Sequence, residues 1–336
     1  MNSGGDSDTT GNDTTGNGNG NGNGNGNGNG NGNGNGNNMT VAPPPTGVLT
    51  DVAPGLARIL CPNPSPFTLH GTWTYVIGDL ARADAGLAVV DPGPADEGHI
   101  AALLDAVPAE RITHVIITHT HRDHSPGAAI LERHTRAPTL ALGPHGMGRT
   151  LVDDDFVIGA DADFIPDRVL ADGETIAGDG WSLECLHTPG HAANHLCMAN
   201  PDAGWLLVGD HLMAWSTTII SPPDGHLGDF LASCQRIRAR PERTLWPAHG
   251  DPIHDKETLI DKLVAHREQR LQAILDAVAA GNPGIEALVQ VVYRDIDARM
   301  YPAAARSLLA SIIYLEDQGR LRRHCTDGQV SWSTAN

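Results

Sequence analysis

The sequence is short of basic residues and contains no long apolar run. Lys and Arg total 22 against 40 Asp and Glu, which gives the 336-residue chain a formal net charge of −18 at pH 7. Nucleic-acid binding requires basic side chains that neutralise phosphates, so this acidity argues against general binding to polyanions. A membrane-spanning helix needs about 20 consecutive apolar residues, and no stretch approaches that length. We therefore expect no membrane partner.

Cysteine is also scarce, and its spacing indicates no disulfide framework. The five cysteines include no C-x-x-C pair, and an odd number without a framework fits a reducing cytosol. None of them lies in a recognisable nucleophile motif. Residues 1–38 contain neither a basic nor an apolar segment, so a signal peptide is not expected there. These features favour a cytoplasmic protein whose chemistry depends on groups other than thiols.

The composition changes along the chain and predicts three regions. Residues 17–36 alternate strictly between Asn and Gly. Such a tract has no apolar side chain to bury and cannot offset its ordering entropy, so residues 1–38 are predicted to be a disordered tail. Residues 39–254 contain 26 acidic and 12 basic side chains, together with the motifs described below, and are predicted to form a catalytic domain. Residues 255–336 are nearly neutral and are predicted to form a second, helical domain.

The most distinctive segment is Thr118-His119-Thr120-His121-Arg122-Asp123-His124, which follows the apolar run 115–117. It places three imidazoles and one carboxylate within six positions at the end of a predicted strand. Neutral imidazole and carboxylate are the ligands that Zn²⁺ and similar cations prefer. The segment therefore predicts a metal site above the edge of a sheet.

Three more candidate ligands follow short apolar runs. They are His191 in T-P-G-H, Asp210 in G-D, and His249 in P-A-H-G. In layered α/β folds the carboxyl ends of strands carry the loops that build sites. One tetrahedral ion needs four ligands, so a larger set predicts two metals. The predicted ligands are His119, His121, Asp123, His124, His191, Asp210 and His249.

The order of these motifs resembles the metallo-β-lactamase-fold hydrolase superfamily over roughly residues 50–254, and Asp91 in V-V-D-P-G matches that family's early acidic motif. The resemblance implies an α/β fold, a four-layer αβ/βα sandwich with the site at one edge of two facing sheets. It also implies a division of the ligands. The first metal takes His119, His121 and His191, the second takes Asp123, His124 and His249, Asp210 bridges both, and Asp91 and His195 support the ligands by hydrogen bonds.

The implied chemistry is that of two Zn²⁺ ions, with Mn²⁺ or Fe²⁺ as alternatives. Two cations about 3.5–4 Å apart can share one water, lower its pKa and present a bridging hydroxide to a carbonyl or phosphoryl group. Asp123 and Asp210 are the predicted catalytic carboxylates. Asp123 both binds a metal and orients the nucleophile, while Asp210 holds the two ions together.

After the last predicted ligand the pattern becomes helical. Residues 256–280, 285–292 and 302–319 carry apolar side chains at helical spacing, and Asp327-Gly328 between two short runs predicts a hairpin. Three helices and a hairpin predict a small winged helix. This narrows the resemblance to the β-lactamase-like group with a C-terminal winged helix, which includes endoribonucleases and thioesterases. The basic side chains of the wing, Arg320, Arg322 and Arg323, are interpreted as solvated rather than as a nucleic-acid contact.

Several functions stay open at this stage. The leading hypothesis is a dinuclear zinc hydrolase acting on a small ester-type substrate, either a thioester or a lactone, with Trp215, Trp73 and Phe67 as candidate apolar pocket walls. One alternative is a single-strand endoribonuclease or phosphodiesterase, with single-stranded RNA as the partner. Another is a mononuclear iron persulfide dioxygenase that uses only the first-site histidines and Asp210. A non-catalytic RNA-binding module is disfavoured because the ligand set is complete. Self-association into a homodimer is left open.

The predicted tail leads to a first test. A protein that begins at Met39 should keep the melting temperature and the catalytic constants of the full chain, because nothing in the Asn-Gly tract can pack and no motif precedes Met39. Thermal unfolding and steady-state kinetics of both proteins measure this directly. A large loss in either quantity would mean that the tail contacts the folded body.

Overall fold

Alternating apolar residues build two β-sheets that face each other. The computed structural model describes residues 42–149, 159–297 and 301–335. Every element named below belongs to one unit, Pro43–Asn336. The predicted disordered tail, residues 1–38, lies outside the described residues.

The first sheet contains the strands in chain order. It is antiparallel from the first strand to the fourth and parallel from the fourth to the seventh. The strands are β1 Thr50–Ala53, β2 Leu56–Leu60, β3 Trp73–Ile77, β4 Leu87–Val90, β5 Ile112–Ile116, β6 Thr139–Ala141 and β7 Arg168–Val169.

The second sheet is formed by β8 Thr175–Gly178, β9 Trp181–His187, β10 Leu196–Asn200, β11 Trp205–Gly209 and β12 Thr244–Pro247. Its order is β12-β11-β10-β9-β8, and β11 and β12 are its parallel pair. The helix α3 Leu227–Arg238 connects these two strands. Parallel neighbours need such a crossover, whereas antiparallel neighbours can be joined by a tight turn.

The side chains of each buried strand point alternately to two different cores. In β4, Ala88 and Val90 face the second sheet, whereas Leu87 and Val89 pack under the helices α1 Glu97–Ala106 and α2 Gly127–Thr135. β11 alternates in the same way between the inter-sheet core and α3. Helix, sheet, sheet and helix therefore form four layers. The four-layer sandwich that the sequence predicts is confirmed.

The C-terminal part consists of α4 Lys256–Ala279, α5 Ile285–Val292, α6 Tyr301–Asp317 and the hairpin of β13 Leu321–Thr326 and β14 Gln329–Thr334. Asp327 and Gly328 both have positive φ, 51° and 79°, as a two-residue type I′ hairpin turn requires. The predicted helices and hairpin are confirmed. Apolar side chains of α4, α5 and α6 continue the same core that covers the outer face of the second sheet. None of the helices in the described residues is long and apolar enough to cross a membrane.

The predicted site residues follow the carboxyl ends of strands. Asp91 comes directly after β4, the segment 118–124 follows β5, and Asp210 follows β11. The segment 188–195 joins β9 to β10, and His249 lies two residues beyond β12. These strand ends meet at one edge of the sandwich, because Leu196 N–H donates to Thr118 O at 2.8 Å and Ala248 N–H donates to Gly209 O at 3.0 Å. The fold thus brings both sheets to one site.

One glycine of this edge gives a test of the packing. Gly190 has φ 140°, and a Cβ atom added to it would lie 2.3 Å from the Cα atom of Phe230 in α3. Gly190→Ala should therefore lower the free energy of unfolding by about 1–2 kcal/mol for the left-handed backbone, plus about 1–3 kcal/mol for overpacking. Urea unfolding of the metal-free protein measures the change.

Gly180→Ala is the matched control. Gly180 also has positive φ, 80°, but an added Cβ would meet no atom within 4 Å. The control should show the backbone cost alone, about 1–2 kcal/mol. Equal losses in the two variants would contradict the close packing of Gly190 against α3.

Candidate metal centre

Three imidazoles converge at the first half of the site. His119 Nε2 lies 3.0 Å from His121 Nδ1, and His191 Nε2 lies 2.9 Å from the same atom. His119 is fully buried and His191 nearly so, whereas His121 is partly exposed. The three nitrogens belong to one group of potential ligand atoms. We refer to His119, His121 and His191 as the first cluster.

The outward-facing nitrogens of His191 and His119 are fixed by partners in the protein. His191 Nδ1–H donates to Ile219 O at 2.7 Å, because a carbonyl can only accept. Thr118 donates its hydroxyl proton to Asp91 Oδ2 at 2.7 Å and so accepts from His119 Nδ1–H at 3.0 Å. Both contacts leave the Nε2 lone pairs directed inward, which is how outer partners orient imidazole ligands.

Two histidines and two carboxylates form the second half of the site. His249 Nε2 lies 3.2 Å from Asp123 Oδ2 and 3.2 Å from Asp210 Oδ1. His124 Nε2 lies 3.5 Å from the same two carboxylates. We refer to Asp123, His124, Asp210 and His249 as the second cluster, and their ligand atoms likewise form one group.

The outer nitrogens of the second cluster are also paired. His124 Nδ1–H donates to Asp91 Oδ2 at 2.9 Å, and His249 Nδ1–H donates to Gly71 O at 3.1 Å. Asp91 Oδ1 accepts from Thr118 N–H at 2.8 Å. Asp91 therefore connects both clusters, to His119 through Thr118 and to His124 directly. It adopts φ 51°, a conformation that Asp tolerates better than most residues.

Asp210 lies between the two clusters. Its Oδ1 faces His124 and His249, and its Oδ2 lies 3.6 Å from His191 Nε2. The Asp210 N–H donates to His195 Nε2 at 3.2 Å. The opposite nitrogen of His195 lies 2.9 Å from Thr188 Oγ1. His195 thus supports the backbone of Asp210 and does not belong to either group of ligand atoms.

Burial keeps two imidazoles of the first cluster, His119 and His121, neutral. Burial, followed by repulsion from neighbouring imidazoles, holds the pKa of His119 well below its usual value. Burial and then His191 lower the pKa of His121 to about 3. Neutral imidazoles carry free lone pairs at physiological pH, which a cation requires of them.

The second cluster behaves in the opposite way. Burial lowers the pKa of His249, but attraction to Asp210 and Asp123 outweighs it and raises the pKa to about 9. The pKa of His124 is raised well above its usual value, since Asp123, Asp210 and Asp91 together outweigh its burial. Burial would raise the pKa of Asp210, yet attraction to His249 and His124 lowers it well below its usual value. The carboxylates therefore draw positive charge to this point.

The donor set fits two divalent cations. His124 Nε2, Asp210 Oδ1 and His249 Nε2 are buried and form no hydrogen bond within the described residues. Buried polar atoms are rarely left without a partner, and three of them directed at one point fit a common ligand. Imidazole and carboxylate suit Zn²⁺ and neighbouring transition metals. The assignment of each residue to a metal stays a prediction.

Three further side chains around the site have positions that the motifs do not specify. His211 faces away from the clusters, with its ring 4.6 Å from the ring of Phe230. Trp73, considered as a pocket wall, lies in the core between the sheets and donates to Gly250 O at 2.9 Å. His145 Nδ1 lies 3.1 Å from Thr120 Oγ1, and the His145 ring lies 6.5 Å from the ring of His121.

Besides Asp91 and His195, other groups orient the ligands, and sequence reasoning missed them. The carbonyls of Gly71 and Ile219 act through the backbone, which leaves no signature in side-chain identity. Thr118 could have been found, since it directly precedes His119 and follows the predicted strand. Arg267, which reaches the loop after Asp210 from α4, lies far outside the motifs.

Comparison with known proteins gives the family. Residues 67–249 match the model of the metallo-beta-lactamase superfamily, and residues 285–332 match the beta-lactamase associated winged helix domain. A Drosophila melanogaster protein named beta-lactamase-like protein 2 homolog is 30% identical over 281 residues, 82% of this chain and 92% of that protein. A Paecilomyces divaricatus protein named as an atrochrysone carboxyl ACP thioesterase is 24% identical over 312 residues, 87% of this chain and 90% of that protein.

A solved structure gives the same fold. The crystal structure of a beta-lactamase domain protein from Burkholderia ambifaria superposes with a TM-score of 0.72 at 22% identity, over 88% of this chain and 96% of that chain. At this identity the likeness shows the fold alone. The family is shown by the matched family model, which covers more than half of the chain. The resemblance stated from the motifs is confirmed. The chain belongs to the metallo-β-lactamase superfamily and is a hydrolase of that fold with the associated winged-helix domain near its C-terminal end.

Proposed function

We propose that the chain is a dinuclear metal hydrolase that cleaves a small acyl ester, first of all a thioester. Its cofactors are two Zn²⁺, with Mn²⁺ or Fe²⁺ as alternative ions. The position of Asp210 carries the proposal, because one carboxylate faces both groups of ligand atoms with different oxygens. When bound, two such cations lower the pKa of a shared water and polarise the group under attack.

The protein's own groups divide the remaining tasks. The side chain of Asp123 is 30% exposed, against 9% for Asp210, so Asp123 is the carboxylate that a substrate and water can reach. It is positioned to orient the attacking water and to accept its proton. Asp210 is buried and its backbone is held by His195, which suits a group that must not move.

The thioester preference has two supports. A curated relative that aligns over most of both chains is named a thioesterase. The loops that hold His249 and His191 also present large exposed apolar side chains, Phe67 at 53% and Ile219 at 38% exposure. Exposed apolar groups beside a polar site favour substrates with an apolar part. We therefore place an acyl thioester ahead of a lactone.

The alternatives have less support. An iron dioxygenase using one metal would leave the buried nitrogens of His124 and His249 without a role. A nuclease would need free cations on the wing, and one of the three wing arginines, Arg323, is already paired with Glu316 at 2.8 Å, while Trp332 donates to the same carboxylate. Cytoplasmic location and a small-molecule partner remain part of the proposal, and self-association stays open.

Asp210→Ala tests the bridge. Without this carboxylate two cations would repel each other with nothing between them, so hydrolysis should be abolished and both metals should bind weakly. Thioester hydrolysis and the metal content of the purified variant measure the outcome. Asp167→Asn is the control, because that carboxylate caps Thr139 on the first sheet and should leave both quantities unchanged. Two tightly bound metals with near-normal turnover in Asp210→Ala would refute the assignment.

The second cluster separates a hydrolase from an oxygenase. His249→Ala and His124→Ala should each lower kcat/KM for a thioester by about 10²-fold or more, the scale of losing charge stabilisation at a reaction centre. Each variant should also retain one metal per chain in elemental analysis. A one-iron oxygenase would tolerate both changes. If thioester hydrolysis survives in both variants, the two-metal mechanism is wrong.

A further inference from the structure

The buried guanidinium of Arg267 is the least expected charge in the described part of the chain. Arg267 belongs to α4, is 6% exposed, and forms no ion pair with a carboxylate among the described residues. An arginine cannot give up its proton, and a buried charge without a counterion is costly. Burial lowers the pKa of Arg267, and the groups that act against this shift, Tyr293 and Cys234, are not carboxylates.

The hydrogen bond of this side chain points to the metal centre. Arg267 Nη2–H donates to the carbonyl oxygen of Thr218, in the loop that follows Asp210. The Thr218 hydroxyl in turn contacts Asp210 O at 3.1 Å and His211 O at 2.9 Å. The Arg267 guanidinium therefore holds a loop in which the Thr218 side chain hydrogen-bonds to the backbone of Asp210.

The next residue of the same turn touches the first cluster. Ile219 O accepts the hydrogen bond from His191 Nδ1 at 2.7 Å, and this contact fixes the tautomer and the direction of the His191 ring. Thr218 and Ile219 are adjacent, so a shift of the Thr218 carbonyl moves the Ile219 carbonyl as well. Three steps thus connect α4 to His191: the hydrogen bond from Arg267 to Thr218, the peptide link to Ile219, and the hydrogen bond between Ile219 and His191.

We propose that Arg267 is a positioning residue for the metal centre, which holds the loop of Thr218 and Ile219 so that His191 is directed at the first metal. The helical C-terminal part then contributes to metal affinity and not only to the core. The proposal depends on His191 being a metal ligand, as the proposed function states.

Arg270 provides a matched control within the same helix. Its guanidinium also donates to a backbone carbonyl, that of Val292 at the end of α5, and lies 4.1 Å from the ring of Tyr293. Arg267 likewise donates to a backbone carbonyl and lies 5.7 Å from the ring of Phe230, whereas the contacts of Arg270 stay inside the C-terminal part. Replacing either arginine by Met removes one charged donor from α4.

The test compares Arg267→Met with Arg270→Met in the full chain. The Zn²⁺ dissociation constant is measured by competition with a chromophoric chelator, and the melting temperature is measured for the metal-free proteins. The melting temperatures show how far each change affects folding alone. Arg267→Met should bind Zn²⁺ about 10–100-fold more weakly, the usual effect of losing a group that orients a ligand, whereas Arg270→Met should bind it as the wild type does. Wild-type affinity in Arg267→Met, or equal weakening in both variants, would overturn the proposal.

A measurement on the wild-type protein needs no variant to fold. Coupling is reciprocal, so Zn²⁺ loading should slow amide hydrogen exchange in α4 around Arg267 and leave the β13–β14 hairpin unchanged. Unchanged exchange in α4 would contradict a link between Arg267 and the metal centre.

His191→Ala separates this link from the assignment of His191 as a metal ligand. If that variant loses Zn²⁺ while Arg267→Met does not, the link fails and the metal assignment stands, whereas full Zn²⁺ affinity in His191→Ala would refute the assignment itself.

Discussion

The carboxylate of Asp91 accepts three hydrogen bonds, and the positions of histidines in both clusters depend on them. Thr118 N–H and Thr118 Oγ1–H bind it at 2.8 and 2.7 Å, and through Thr118 it fixes His119 of the first cluster. His124 Nδ1–H binds it at 2.9 Å and fixes the second cluster. Because Asp91 follows β4 while His119 and His124 follow the neighbouring parallel strand β5, the register of this strand pair sets the position of Asp91 relative to the two histidines.

Asp210, which follows β11 of the second sheet, likewise connects the two clusters. It brings one buried carboxylate between the two groups of imidazoles, while His195 and the loop after β11 hold its backbone. The helices beyond the last ligand share the apolar core on the outer face of that sheet, so they lie against the loop that Arg267 reaches. The winged-helix part is therefore connected to the metal centre by the shared apolar core and by the buried guanidinium of Arg267.

The sequence predicted the side chains of the site better than their supports. Ligands such as His119 and His249 follow apolar strands in recognisable motifs, and the two-residue turn at Asp327-Gly328 has a direct backbone reason. The carbonyl of Ile219 and the reach of Arg267 depend on tertiary packing that no local pattern encodes. His211 could not be oriented from sequence either, since only the position of Phe230 decides which way its ring turns.

The central claim is that the two clusters hold two metals with Asp210 between them. Anomalous diffraction at the zinc edge, from crystals of the full chain grown with Zn²⁺, tests it most directly. Two peaks are expected about 3.5–4 Å apart, one among His119, His121 and His191 and one among Asp123, His124 and His249. A single peak at the first cluster at full Zn²⁺ loading, with no density at the second, would contradict it.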